Sequence, residues 1–152
     1  MKDSFQILLN EFHSWFNPTA NRDEMLLQTS IFLKERVYHY DWVGFYLLDS
    51  TSNELVLGPF AGKPTEHTHI PVGKGVCGQV AESKITKIVQ DVSCEENYIS
   101  CSIDVQSEIV VPVIKGDKFV AEIDIDSHST APFSTDDDEF LTAICTEIAK
   151  LF

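Results

Sequence analysis

Cysteines followed by a row of carboxylates are the residues of this chain whose types and spacing could do chemistry together. Cys77 closes a glycine-rich stretch, Gly73-Lys74-Gly75-Val76-Cys77-Gly78, and Cys94 and Cys101 share one polar segment. Glu108 opens the run Glu108-Ile109-Val110-Val111-Pro112, and Glu122-Ile123-Asp124-Ile125-Asp126 follows. That order suggests a small pocket in which a thiolate supplies a nucleophile while carboxylates at fixed depth hold a cationic group or deliver a proton.

The thiols differ in what surrounds them. Cys101 is followed by Ser102, Ile103 and Asp104, a polar setting in which a thiol is reachable; the plainer reading is a small buried hydrophobe. Cys94 lies in the same segment beside Glu95 and Glu96, whose charge disfavours a spontaneous thiolate, so it suits a second, resolving role. Cys145, flanked by Ile144 and one turn from Leu141, belongs to the core. No C-x-x-C pair exists, and His13, His39, His67, His69 and His128 lack zinc-finger or metalloprotease spacing, so neither metal nor cofactor is expected. His67-Thr68-His69 would put two rings on one strand face, where a metal shared with a cysteine is conceivable but a solvated polar face is the commoner meaning.

Strand alternation sends Glu122, Asp124 and Asp126 to one face and Ile123 and Ile125 to the other, with same-face neighbours roughly 6.5–7 Å apart. Such a row is either an ordinary solvated face or a pocket wall. In a pocket, mutual repulsion raises at least one pKa and favours an ammonium ligand. Glu108 could join from the adjacent hairpin strand, or serve as a strand-edge charge. Trp42 and Tyr46, four apart, share a face able to wall an apolar pocket, although core packing is the commoner meaning of such a pair. Gly73-Lys74-Gly75 lacks the spacing and ending of a nucleotide loop but could hold a carboxylate on backbone amides.

The elements that must position these groups are legible in the hydrophobic pattern. Phe5, Leu8, Leu9, Phe12 and Phe16 recur at helical spacing and Asn17-Pro18 ends that helix. Asn21 with Glu24 resembles a capping box opening a second helix that would bury Met25, Ile31, Phe32 and Val37. Six strands are expected at 42–48, 54–57, 67–70, 87–89, 107–114 and 118–126, the last two joined as an antiparallel hairpin through Lys115-Gly116-Asp117-Lys118. A brief helix fits 76–83, and Ser134 with Asp137 starts a closing helix carrying Phe140, Leu141, Ile144, Ile148 and Leu151. The fold class is α+β, a six-stranded mainly antiparallel sheet with N-terminal helices and a C-terminal helix. Residues 91–106 have little periodicity and form a candidate lid.

A chain of 152 residues fits one domain, and 24 acidic against 11 basic residues give a net charge of -13, which argues against nucleic-acid and anionic-membrane partners. No apolar run approaches a membrane span and the N-terminus is too polar for a secretory signal, so a cytoplasmic protein with reduced thiols is expected.

Five segments together resemble the free methionine-(R)-sulfoxide reductases, which are single GAF-domain enzymes. They are Asp41-Trp42-Val43-Gly44-Phe45-Tyr46, Leu55-Val56-Leu57-Gly58-Pro59-Phe60-Ala61-Gly62-Lys63, Gly73-Lys74-Gly75-Val76-Cys77-Gly78, Ser107-Glu108-Ile109-Val110-Val111-Pro112 and Asp124-Ile125-Asp126-Ser127. The resemblance runs from about Trp42 to Phe152 and implies one GAF domain over 1–152, with a helical part at 1–39 and the sheet and closing helix at 40–152. It implies that Cys101 attacks the sulfoxide sulfur, that Glu108, Asp124 and Asp126 bind the amino group and polarise the sulfoxide, and that Trp42 and Tyr46 enclose the thioether end. A thioredoxin-like reductant and a homodimer are implied as well.

The chain departs from that family in places. The family's resolving cysteine after the Gly-Lys pair is absent from Pro64-Thr65-Glu66-His67-Thr68-His69, so the role falls to the extra Cys94 or to Cys77, which matches another family cysteine. Tyr98-Ile99-Ser100-Cys101-Ser102 stands where the family has His-Ile-Ala-Cys-Asp, and Glu122 replaces a typically apolar residue. The competing readings are a non-catalytic GAF module that binds a small amine and a redox sensor pairing Cys94 with Cys101.

Overall fold

The computed structural model describes residues 1–95 and 104–152. Two helices, α1 (Asp3–Trp15) and α2 (Arg22–Arg36), precede strands β1 (Trp42–Asp49), β2 (Glu54–Ala61) and β3 (His69–Pro71). Then come α3 (Gly75–Ser83), β4 (Lys87–Val89), β5 (Ser107–Lys115), β6 (Lys118–Ser127) and α4 (Thr135–Ile148). The six strands form one sheet in the order β3-β2-β1-β6-β5-β4, and every neighbouring pair is antiparallel. No helix among the described residues is long and apolar enough to cross a membrane.

The sheet buries both faces, and strand alternation divides its side chains between two cores. Val43 and Phe45 of β1, Ile109, Val111 and Val113 of β5, and Ile123 and Ile125 of β6 face α1, α2 and α4. Phe5 of α1 stacks on Phe140 of α4 at a centroid distance of 4.5 Å, which joins the terminal helices over that face. The second core lies on the other face, where Trp42, Tyr46, Leu55, Ile70 and Val110 meet Val76, Cys77 and Val80 of α3.

Local chemistry sets the element ends. The Asn21 side chain accepts from the Glu24 amide at 3.0 Å and starts α2. Ser134 and Asp137 form a reciprocal capping box at α4, as their spacing predicts. Asp137 also accepts from His39 Nε2 at 2.7 Å and from the Tyr40 hydroxyl at 2.9 Å, which ties the start of α4 to the connection entering β1. The hairpin turn uses Gly116 at φ +66°, in the left-handed region that glycine tolerates without strain.

Three expectations need correction. Ile31 is 41% exposed and lies off the buried stripe of α2, which is formed instead by Met25, Leu26, Thr29, Ser30, Phe32 and Leu33. The third strand begins at His69, because 65–68 close a turn in which Thr68 N–H donates to Glu66 O; His67 and His69 therefore do not share a strand face. The second strand runs on to Ala61 through a bulge: Gly58 and Pro59 together oppose Phe45, between the pairs Gly44 with Phe60 and Tyr46 with Leu57. Proline has no amide to give to the ladder, and an unpaired bulge position is where a strand can hold it.

Candidate functional site

Register places the carboxylates on the face covered by α3. Across β1 and β6, Trp42 opposes Asp126, Gly44 opposes Asp124 and Tyr46 opposes Glu122. Across β5 and β6, Glu108 opposes Asp126, Val110 opposes Asp124 and Pro112 opposes Glu122. Directly opposed residues point to the same side, so Trp42, Tyr46, Glu108, Glu122, Asp124 and Asp126 share one face, as alternation requires. Gly44 makes room at the centre of this array, since a Cβ there would lie 2.4 Å from the Trp42 ring.

The row is a pocket floor, not a solvated face. Glu108, Glu122, Asp124 and Asp126 are at most 2% exposed, and the Cys77 thiol, on the first turn of α3, is buried against them. Burial above all pushes the Glu108, Glu122 and Asp124 carboxyls well above the usual range, and the neighbouring acids push Glu108 and Asp124 further. Glu108 is in hydrogen-bond contact with Asp124 and Asp126, which fits buried carboxyls sharing protons among themselves. Burial, then the charges of Asp124, Glu122 and Glu108, raise the Cys77 thiol well above its ordinary value, so it rests protonated. Apart from that thiol, neither oxygen of Glu122 meets a hydrogen-bond donor among the described residues, and Asp124 Oδ1 meets none.

A cavity of about 10 Å³, the space of one water, remains among His67, Ile70, Lys74, Gly75, Cys77, Glu108 and Asp124. Beside it a cavity of about 340 Å³ is lined by Trp42, Gly62, Lys63, Val105, Asp126 and His128 together with Lys34 and Asp41. Trp42 Nε1–H donates to Lys63 O at 2.9 Å and the Tyr46 hydroxyl donates to His67 O at 2.8 Å. Both aromatic residues thus fix the 62–68 connection that borders the two cavities. His67 and Lys74 were not expected as substrate-binding side chains; the sequence offered His67 only as a strand-face ring and Lys74 only within a loop whose backbone amides could hold a carboxylate.

The remaining thiols separate. Cys94 ends a 3-10 turn, Val92–Cys94, and is exposed, while Cys145 is buried in the opposite core. Cys101, the candidate nucleophile, lies outside the described residues. The segment that contains it is closed at its base, where Val92 N–H donates to Gln106 O at 2.9 Å, and Lys63 Nζ lies 3.4 Å from Asp104 at its end.

The array can hold a cationic group by exchanging protons for it in a dry pocket, with a thiol alongside. Comparison with known proteins points the same way. The GAF domain family matches residues 24–151. The free methionine-R-sulfoxide reductase of Escherichia coli (strain K12) is 36% identical over 126 residues, covering 83% of this chain and 74% of that protein. GAF domain-containing protein A of Dictyostelium discoideum is 37% identical over 143 residues, covering 94% and 89%. The X-ray structure of free methionine-R-sulfoxide reductase from Neisseria meningitidis in complex with its substrate superposes at a TM-score of 0.91 with 34% identity, over 100% of this chain and 91% of that one.

Proposed function

Because the chain belongs to the GAF domain family and, within it, to the free methionine-R-sulfoxide reductases, we propose that it reduces free L-methionine-(R)-sulfoxide to methionine. The observation that carries this reading is the buried set Glu108, Asp124 and Asp126 beneath the Gly-Lys-Gly helix start. A free amino acid has an ammonium that a peptide-bound methionine lacks. Acids held out of water favour that ammonium strongly, since its arrival replaces protons they would otherwise have to keep. The first amides of α3, which lack helical partners, suit the carboxylate of the same molecule.

In the proposed reaction the Cys101 thiolate attacks the sulfoxide sulfur while the sulfoxide oxygen takes one proton from a member of the acid cluster that stays neutral beside the bound ammonium. Cys101 keeps the oxygen as sulfenic acid and methionine leaves. A second thiol then displaces that oxygen as water, forming a disulfide, and a thioredoxin-like dithiol reduces it. Cys94 suits the resolving step better than Cys77: it is exposed and seven residues from Cys101, whereas burial and neighbouring charge keep the Cys77 thiol protonated. The 10 Å³ cavity cannot admit an amino acid as it stands, so binding opens the wall to which His67 of the 62–68 connection belongs.

A coupled assay with thioredoxin, its reductase and separated sulfoxide epimers tests the reading. NADPH consumption with the free R epimer alone is expected, and Cys101→Ser abolishes it while binding persists. Binding without consumption in the wild-type chain would identify a sensor instead, and full activity in Cys101→Ser would remove Cys101 from the mechanism. Peptide mass spectrometry after one turnover identifies the resolving thiol as Cys94 or Cys77.

A further inference from the structure

The same pocket contains a donor set that binding of an amino acid does not use in full. One ligand atom each from Cys77, Glu108 and Asp124 can be chosen so that all lie within 4.8 Å of one another, and all three residues are buried. The fully buried Glu122 carboxyl meets the Cys77 thiol and no other donor among the described residues, and Asp124 Oδ1 is bare as well. An ammonium group satisfies carboxylates but makes no coordinate bond to sulfur, whereas a borderline metal ion uses carboxylate and thiolate together.

We infer that this pocket also takes one divalent cation of the zinc class, bound by Cys77 Sγ, Glu108 and Asp124 with Glu122 behind the thiol as its neighbour, in competition with the amino group of the free amino acid. The competition rests on the function proposed above; the ion site itself does not.

Three observations agree on the class of ligand. A thiolate among carboxylates selects a borderline ion such as Zn²⁺ or Cd²⁺, whereas Mg²⁺ and Ca²⁺ prefer all-oxygen shells with retained water. Tetrahedral zinc with bonds of roughly 2.0–2.3 Å spaces its ligands about 3.5 Å apart, so the present spacing closes with small movements of the side-chain tips. The cavity of about 10 Å³ has room for a bare ion though not for an amino acid. On binding, Cys77 gives up its S–H proton and the carboxyls give up theirs to solvent, with no change in oxidation state.

The test uses the full chain, reduced with a non-thiol reductant, stripped with chelator and titrated with Cd²⁺ or Zn²⁺ alone. One ion per chain is expected, with an ultraviolet thiolate-to-cadmium absorption that is lost in Cys77→Ser and kept in Cys94→Ser and Cys101→Ser. Glu122→Gln weakens binding roughly 10-fold and Glu108→Gln roughly 100-fold. Glu108→Gln keeps the thiol and the shape of the site, so it carries the test if Cys77→Ser fails to fold. Zinc should raise the apparent Kd for free methionine-(R)-sulfoxide in linear proportion to its concentration. Absence of the absorption band, a band that survives Cys77→Ser, or unchanged affinity in Glu108→Gln overturns the inference. A cadmium band in a chain that fails to turn over the R epimer would overturn the proposed function and leave the ion site standing; turnover without a band would do the reverse.

Discussion

At the scale of single residues, the pocket is set up against the stability of the free protein. Glu108, Glu122 and Asp124 are kept from ionising, first by burial, and a carboxyl whose folded pKa lies above its unfolded value makes the fold less stable as pH rises between the two. Asp124→Asn should therefore stabilise the free protein while weakening its hold on ligand. Thermal melting is expected to show a gain of about 1 kcal/mol or more from removing a buried acid with a bare oxygen. Titration with free methionine-(R)-sulfoxide should show a loss of about 2–4 kcal/mol, roughly 30- to 1000-fold in Kd. A variant that lost both stability and affinity would mean that Asp124 packs the core and does not bind.

At the scale of elements, the junction of α4 with the entry to β1 fixes one end of the site strands. Asp137 caps Ser134 and accepts from His39 and Tyr40, and Tyr40 is almost wholly buried. Burial alone would raise this carboxyl, but the His39 hydrogen bond, the Ser134 amide, the Tyr40 hydroxyl and the His39 charge together hold it below the ordinary value. Ser134→Ala is expected to cost about 1 kcal/mol, the usual worth of an N-cap. Asp137→Ala should cost about 2–4 kcal/mol, because it also strands the buried Tyr40 hydroxyl. Urea unfolding of the two variants checks the ranking, and equal losses would reduce Asp137 to a cap.

At the scale of the whole molecule these groups act in opposite senses on stability. The Asp137 contribution is present above its unfolded pKa of about 4 and is lost as pH falls through its lowered folded value. The pocket acids do the reverse, costing stability as pH rises above about 4 toward their raised folded values. Net charge of -13 adds self-repulsion at neutral and alkaline pH. Urea midpoints across pH 3–9 should therefore peak on the acid side of neutrality, with salt flattening the alkaline limb. A profile still rising through pH 8 would contradict the protonated state of the pocket.

Much of this protein can be read from its residues in order. Alternation at Glu122, Asp124 and Asp126, the stripe in α1, the Ser134 with Asp137 cap and the Lys115 to Lys118 hairpin are local patterns, and local sterics and hydrogen bonding suffice to fix them. Whether the carboxylate row faced water was open, because a period of two does not say what covers a strand. The tertiary structure decided it by laying α3 over that face, which buried the acids, brought the Cys77 thiol among them and drew in His67 and Lys74 from the neighbouring connection. Ile31 missed its expected burial for the same reason: helical spacing gives a face, and only packing chooses how wide a stripe of it is covered.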